Sequence, residues 1–116
     1  MDRTAVITGA SRGLGATFAR VFAEEGFTVI LGARETASIE RLASELPSAF
    51  AHPLDVSDPM SVDAFRRAVL ERFGRIDALV NNAGIGVFKR LEQTSREEME
   101  QTFRVNVFGA CAVTTA

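Results

Sequence analysis

Short apolar runs alternate with segments whose apolar residues recur at helical spacing along the whole 116-residue chain. A run that is apolar at nearly every position is typical of a strand buried on both faces, as in parallel sheets covered by helices. The pattern predicts strands at 4–8, 28–31, 49–54 and 78–80, and helices at 13–25, 37–45, 59–73 and from 95 onward. We therefore expect an α/β fold, with a doubly wound parallel sheet of about four strands in the order βαβαβαβα.

Three of the four predicted helices carry an apolar stripe that is expected to pack on the sheet. The first stripe consists of Leu14, Phe18, Val21 and Phe22, the third of Val62, Phe65, Val69 and Phe73, and the fourth of Met99, Phe103, Val107, Ala110 and Thr114. Pro53 lacks a backbone N–H, so the third strand is expected at an edge of the sheet.

Helix boundaries are marked by residues with known capping preferences. Gly26 and Gly74 are placed to end the first and third helices in the left-handed conformation. Asp58 is expected to cap the third helix, and Ser95 with Glu98 forms a capping box for the fourth. The fourth helix has no stop signal before the chain ends, which predicts an interruption inside an element.

A glycine-rich segment, TGASRGLG at positions 8–15, joins the first strand to the first helix. A helix N-terminus carries unpaired N–H groups and a partial positive charge, so it stabilises a phosphate placed there. Gly9 is expected to take a positive φ, Gly13 to clear the ligand's approach and Gly15 to let the helix pack closely. The alternative is a glycine-rich turn that binds no ligand.

Composition limits the classes of binding partner and of chemistry that are expected for this chain. A net charge of −2 and a pI near 5.4 give no reason to expect nucleic acid or an anionic membrane. No apolar run approaches the length of a membrane span, and no signal-peptide layout begins the chain, so a cytoplasmic protein is expected. Cys111 is expected to be a buried, unreactive thiol. His52 lacks companions for a metal site and is expected to be solvated or to cap a helix.

These motifs together resemble the N-terminal half of the short-chain dehydrogenase/reductase family over essentially the whole chain. The resemblance implies a Rossmann-type sheet whose segment 8–15 holds the pyrophosphate of a nicotinamide cofactor. It also implies that Asp55, followed by Val56, accepts a hydrogen bond from the adenine amino group. The motif NNAG at 81–84 would support the sheet and line the adenosine side. Asn106 matches the catalytic asparagine that helps to hold a water on the proton-relay path.

The assignments of Asp55 and Asn82 each have a plainer alternative, whereas that of Asn106 is harder to replace. Asp55 would lie on the ligand edge of the sheet, although Asp also caps helices. Asn82 is equally suited to closing a turn before Gly84. Asn106 lies beside an apolar stripe, where an amide is costly unless it is hydrogen-bonded.

Charge indicates which cofactor is preferred. An NAD site commonly places an acidic residue after the second strand, whereas this strand is followed by Arg34. Arg34 and Arg12 are suited to binding the 2′-phosphate of NADP, with Glu35 weakening the case. Both arginines would otherwise be solvated surface residues. The predicted cofactor residues are Thr8, Gly9, Ser11, Arg12, Gly13, Leu14, Gly15, Arg34, Asp55, Val56, Asn82, Ala83 and Gly84.

The chain contains no tyrosine. The family transfers a proton through a tyrosine, assisted by a lysine and a serine, and the resemblance places all three beyond residue 116. We therefore expect 1–116 to be the cofactor half of an NADP(H)-dependent oxidoreductase acting on a small carbonyl or alcohol substrate, without its catalytic half and inactive alone. The alternative is a non-catalytic nucleotide-binding module or an inactive truncated remnant. The full-length parent is expected to be a homo-oligomer.

Overall fold

The computed structural model describes residues 3–11, 13–84, 95–109 and 113–114, and it confirms the α/β architecture. The strands are β1 (Thr4–Thr8), β2 (Thr28–Ala33), β3 (Ala49–Pro53) and β4 (Ala78–Val80). The helices are α1 (Gly13–Glu24), α2 (Thr36–Glu45), α3 (Pro59–Phe73) and α4 (Arg96–Phe103), and a π-helical segment, Arg104–Gly109, follows α4.

The four strands form one parallel sheet in the order β3-β2-β1-β4. Every residue of β1 and β2 is buried, as expected for central strands covered on both faces. β3 lies at an edge, as Pro53 predicts. β2 runs two residues further than the apolar pattern indicates, because Gly32 and Ala33 still pair with β3.

The sheet divides the core into two layers because neighbouring side chains of a strand face opposite ways. The layer beneath α3 consists of Val6, Ile30, Leu54, Val56, Val62, Phe65, Val69 and Val105. The layer beneath α1 and α2 consists of Ile7, Ala10, Ala19, Val29, Leu31, Ala33, Ile39 and Leu42. The fold is therefore doubly wound, with helices on both faces.

The predicted stripe of α1 is wrong at two positions. Leu14 and Val21 are 67% and 51% exposed, whereas Gly15 and Ala19, one turn apart, are the buried residues of this helix. Small residues let the helix backbone approach the layer below it, and the two phenylalanines of α1 flank that contact, partly buried. Gly26 ends this region with a φ of +89°, as predicted.

The predictions for α3 are confirmed. Val62, Phe65 and Val69 are buried, and Phe73 packs beside them. The Asp58 carboxylate accepts a hydrogen bond from the Met60 N–H at 3.0 Å. Gly74 ends the helix with a φ of +76° and donates its N–H to the Leu70 carbonyl.

The beginning of α4 is also confirmed, because the side chains of Ser95 and Glu98 each accept from the other's backbone N–H. The predicted stripe is wrong where it can be compared: Met99 is 44% exposed and Thr114 is exposed, whereas Val105, outside the predicted stripe, is buried. The π-helical segment explains the difference, since wider turns shift which residues face the sheet. The other three stripe side chains, Phe103, Val107 and Ala110, lie outside the described residues.

Within the described ranges, no helix is long and apolar enough to cross a membrane, and no group of three potential ligand side chains could hold a metal ion. His52 is half-buried rather than solvated, with its ring edge-on to Phe65 at 5.6 Å and its Nδ1 2.9 Å from the Pro53 carbonyl oxygen. Cys111 lies outside the described residues.

A polar cluster joins the beginnings of β1 and β4. The Asp77 carboxylate accepts the Thr4 N–H at 2.7 Å, and the Thr4 hydroxyl donates to the Arg75 carbonyl at 2.6 Å. The Arg75 guanidinium pairs with the same carboxylate. Hydrogen bonds from Arg75 and then from the Thr4 backbone lower the pKa of Asp77.

Replacing Asp77 by Asn should destabilise the protein at neutral pH and make its stability less sensitive to acid. Because the folded-state pKa of Asp77 is lowered, its contribution is present above the unfolded-state pKa of about 3.9 and is lost as the pH falls through the folded-state value. Urea unfolding at several pH values between about 3 and 7 measures this.

Glu71→Gln, which removes an exposed carboxylate from α3, is the control and should leave stability within about 0.5 kcal/mol. Equal acid sensitivity in Asp77→Asn and the unsubstituted chain would contradict the role assigned to Asp77.

Candidate functional site

The carboxyl ends of the strands open into one cleft of about 580 Å³. In an open parallel sheet, ligands bind at this edge, where the strand order reverses. Here the reversal lies between β1 and β4. The cleft is lined by Gly9, Ser11, Ala33, Arg34, Glu35, Leu54, Asp55, Val56, Asn82, Ala83, Gly84 and Val105.

Thr8, the last residue of β1, joins the glycine turn to the segment after β4. Its hydroxyl oxygen accepts the N–H groups of Asn82 and Ala83, both at 3.0 Å, and donates to the Val80 carbonyl at 3.4 Å. One proton and two lone pairs are all that a hydroxyl offers, so every hydrogen-bonding position of Thr8 is used. Thr8 is fully buried and supports the cleft from behind rather than lining it.

The glycine turn, residues 9–15, is held by close backbone contacts. Gly9 has a φ of +63°, and a Cβ on it would lie 2.7 Å from the Ala83 Cα. A Cβ on Gly15 would lie 2.3 Å from the Gly9 carbonyl oxygen and 2.6 Å from Asn82 Nδ2. Asn82 Nδ2 in turn donates to that same carbonyl at 3.1 Å. Gly15 therefore packs the helix against the turn and Asn82, and no larger residue fits there without displacing them.

The rest of the turn leads into the N-terminus of α1. Gly13 has a φ of +62°, and a Cβ built on it would meet no atom within 4 Å. Leu14 is exposed, and neither of these residues lines the cleft. Arg12 lies outside the described residues. The unpaired N–H groups and the partial positive charge of the 12-residue helix α1 lie at its N-terminus, which follows the glycine turn.

Asp55 lies just after β3 in a tight turn. The Asp58 N–H donates to the Asp55 carbonyl at 3.1 Å, and Asp55 Oδ1 accepts both the hydroxyl of Ser57 at 2.6 Å and its backbone N–H at 3.0 Å. The Ser57 hydroxyl lowers the pKa of Asp55 most. Partial burial opposes this, and the Ser57 N–H and the charge of Arg34 add to the lowering. Asp55 is thus an ionised hydrogen-bond acceptor at neutral pH.

Charges of both signs lie on the cleft wall after β2. Arg34 and Glu35 are exposed and adjacent, and both line the cleft. The positive charge of Arg34 reaches Asp55 across the cleft, as its effect on the Asp55 pKa indicates. An anion bound here would be attracted by Arg34 and opposed by Glu35.

Asn106 lies in the π-helical segment, near the segment after β4. Its Oδ1 lies 3.2 Å from the position that a Cβ on Gly84 would occupy. Asn106 is exposed and is not among the residues that line the cleft, whereas its neighbour Val105 is buried and lines it. π-helical turns are rare and occur frequently at functional sites.

Gly109 is not among the predicted site residues, yet it positions the π-helical segment. A Cβ on Gly109 would lie 2.6 Å from Val56 Cγ2 and 2.8 Å from the Val56 carbonyl oxygen. The segment therefore packs directly on the residue that follows Asp55. A glycine inside a helical pattern is the signal that would have indicated such a close approach.

The structure brings most of the predicted site residues to one cleft. Those that line it are Gly9, Ser11, Arg34, Asp55, Val56, Asn82, Ala83 and Gly84. Among the described predicted residues, Thr8, Gly13, Leu14, Gly15 and Asn106 surround it without lining it. The cleft is also lined by Ala33, Glu35, Leu54 and Val105, which are not among the predicted site residues. The ligand-binding roles of the predicted site residues stay predictions.

The strand order and a cleft at the switch point define a Rossmann-type doubly wound domain. The chain belongs to the short chain dehydrogenase family, whose model matches residues 3–116. It is 41% identical to galactitol 2-dehydrogenase of Agrobacterium fabrum over 109 residues, and 37% identical to sorbitol dehydrogenase of Cereibacter sphaeroides over 108. These matches cover 93% and 92% of this chain but 43% and 42% of the two relatives, so the chain spans less than half of their length.

Solved structures agree with this assignment. An alcohol dehydrogenase from Thermococcus sibiricus, complexed with 5-hydroxy-NADP, is 45% identical to this chain with a TM-score of 0.95. The match covers 99% of this chain and 51% of the dehydrogenase. A 3-ketoacyl-(acyl-carrier-protein) reductase from Brucella melitensis, complexed with NADH, is 40% identical with a TM-score of 0.94. That match covers 97% of this chain and 47% of the reductase.

Replacing Gly9 by Ala should destabilise the protein by about 3 kcal/mol or more, because a methyl group adds a backbone overlap with Ala83 to the strain of a positive φ. Gly74→Ala is the matched control: its φ is also positive, but its Cβ would meet nothing within 4 Å, so about 1 kcal/mol is expected. Urea unfolding of both variants compares the costs. Equal costs would show that the contact with Ala83 adds nothing.

Proposed function

We propose that this chain forms the NADP(H)-binding half of a short-chain dehydrogenase/reductase that interconverts a small carbonyl compound and an alcohol by hydride transfer. The observation that carries the proposal is the cleft. Its walls combine a glycine turn at a helix N-terminus with an arginine and an ionised aspartate. A dinucleotide phosphate carries the complementary groups, namely phosphates and an amino-bearing base.

Different residues of the cleft would bind different parts of the cofactor. The glycine turn and the N-terminus of α1 would hold the pyrophosphate, and Thr8 and Asn82 keep that turn in place. Arg34 would pair with the 2′-phosphate. Asp55 would accept a hydrogen bond from the adenine amino group, since its lowered pKa keeps it ionised. When bound, the nicotinamide supplies or accepts the hydride.

Preference for NADP(H) is argued from this chain's own charges. The two solved relatives were complexed with 5-hydroxy-NADP and with NADH, so similarity alone supports either cofactor. An acidic residue directly after the second strand would repel a 2′-phosphate, and Arg34 occupies that place here. Glu35, one residue further, reduces this preference but does not reverse it.

Asn106 is the one residue of this chain to which we assign a part in catalysis. Its amide lies beside Gly84, at the end of the cleft formed by the segment after β4 and the π-helical segment. A side-chain amide can both donate and accept, which suits it to holding a water on a proton path. A small polyol or alcohol substrate fits the names of the relatives, galactitol 2-dehydrogenase and sorbitol dehydrogenase.

The alternative function is a nucleotide-binding module without hydride transfer. The sequence contains no tyrosine, the residue that donates the proton in the family. A turnover assay in which the 116-residue chain is mixed with NADPH and small ketones tests whether residues 1–116 transfer a hydride on their own. We expect binding without NADPH oxidation. Turnover by this chain would mean that another group donates the proton.

The binding site itself is tested by titrating the chain with NADPH and with NADH and following cofactor fluorescence. We expect saturable NADPH binding, weaker NADH binding, and a loss of about tenfold or more in NADPH affinity in Arg34→Ala, because a charge-assisted pair with phosphate is removed. The NADH affinity should change little in the same variant.

Arg41→Ala is the matched control, since Arg41 is also an exposed arginine, lies on α2 and does not line the cleft. The affinities for NADPH and NADH should both be unchanged in Arg41→Ala. Equal weakening of NADPH and NADH by Arg34→Ala would contradict a 2′-phosphate contact, and no binding of either dinucleotide would overturn the proposed function.

A further inference from the structure

The hydroxyl of Ser57 makes a contact that the turn around it does not need. The turn 55–58 is closed by the Asp58 N–H on the Asp55 carbonyl and by the Ser57 N–H on Asp55 Oδ1. Both are backbone donors that any residue except proline supplies at these positions. The Ser57 hydroxyl adds a third bond, to Asp55 Oδ1 at 2.6 Å. Its contribution is therefore to the carboxylate rather than to the backbone.

Both hydrogen bonds to the Asp55 carboxylate converge on one oxygen, Oδ1. Two donors on the same oxygen fix the plane of the carboxylate, and a short bond from a hydroxyl to an ionised acceptor is among the stronger kinds. The other oxygen, Oδ2, accepts from no group in the described part of the chain. Asp55 lines the cleft, so this oxygen has lone pairs to offer a ligand there.

We infer that Ser57 is a positioning residue that fixes the Asp55 carboxylate so that its second oxygen accepts the amino group of adenine, and that Ser57 thereby contributes to selection of adenine over hypoxanthine. The inference rests on the proposed function. Hypoxanthine carries an oxygen where adenine carries the amino group, so a fixed, ionised carboxylate meets an acceptor instead of a donor. A carboxylate free to rotate away would discriminate less.

Ser61 provides a matched control in the same turn. Its hydroxyl oxygen accepts the Asp55 backbone N–H at 2.9 Å and does not contact the carboxylate. Removing the Ser61 hydroxyl therefore disturbs the backbone of the turn. Removing the Ser57 hydroxyl leaves the carboxylate with one donor, the Ser57 N–H, so that it can rotate more freely. A merely structural role for Ser57 would make the two variants behave alike.

The test compares the affinities of NADPH and its hypoxanthine analogue, deamino-NADPH, in the 116-residue chain. In Ser57→Ala we expect NADPH to bind about three- to tenfold more weakly, with the affinity for the analogue unchanged. Ser57→Thr keeps a hydroxyl and should restore the discrimination. In an Asp55→Ala chain, Ser57→Ala should have no further effect, because the two residues act through one contact.

A second readout needs no cofactor. Ser57→Ala should raise the pKa of Asp55 towards about 3.9, as seen by NMR titration of its carboxyl carbon, whereas Ser61→Ala should leave that pKa lowered by the Ser57 hydroxyl. Equal weakening of both dinucleotides, or no change in either, in Ser57→Ala would overturn the inference even if NADPH binds. Absence of NADPH binding by the unsubstituted chain would instead overturn the proposed function, and this inference with it.

Discussion

The contact between the end of β1 and the end of β4 is the constraint on which the rest of the site depends. The Thr8 hydroxyl uses its proton and both lone pairs on backbone groups of the segment that follows β4. Gly9 lies against Ala83 with no room for a Cβ, and Asn82 holds the Gly9 carbonyl. With that contact in place, the glycine turn can direct the N-terminus of α1 at the cleft. Arg34 and Asp55 then face it from the ends of neighbouring strands.

Elements with a local cause were predicted correctly from the sequence. Asp58 and Gly74 delimit α3 as expected, since a cap and a left-handed glycine act within one turn of the chain. The capping box at Ser95 is of the same kind. Apolar runs located all four strands. The runs are clearest in β1 and β2, which are buried on both faces, whereas β3 and β4 are only partly buried.

Features decided by distant contacts were missed. The sequence predicts that Gly15 lets the helix pack closely, but it does not indicate that Asn82 is the partner, and the apolar pattern wrongly adds Leu14 and Val21 to the buried stripe. The stripe of α4 failed because a π-helical segment changes the spacing on which a helical pattern depends. The same segment carries Gly109, whose close approach to Val56 becomes visible once β3 and α4 are placed side by side.

The hydrogen bonds between Thr8 and the segment after β4 join residues 74 and 75 positions apart. Closing so long a loop costs conformational entropy, and no local contact offsets this cost. Contacts between residues so distant in sequence are therefore slow to form. β1, β2 and β3 follow one another through single helices, whereas β4 must return past them to reach the far side of β1. Assembly of the cleft is thus tied to the longest-range step in the folding of this sheet, and an assembled cleft reports that the fourth strand has docked.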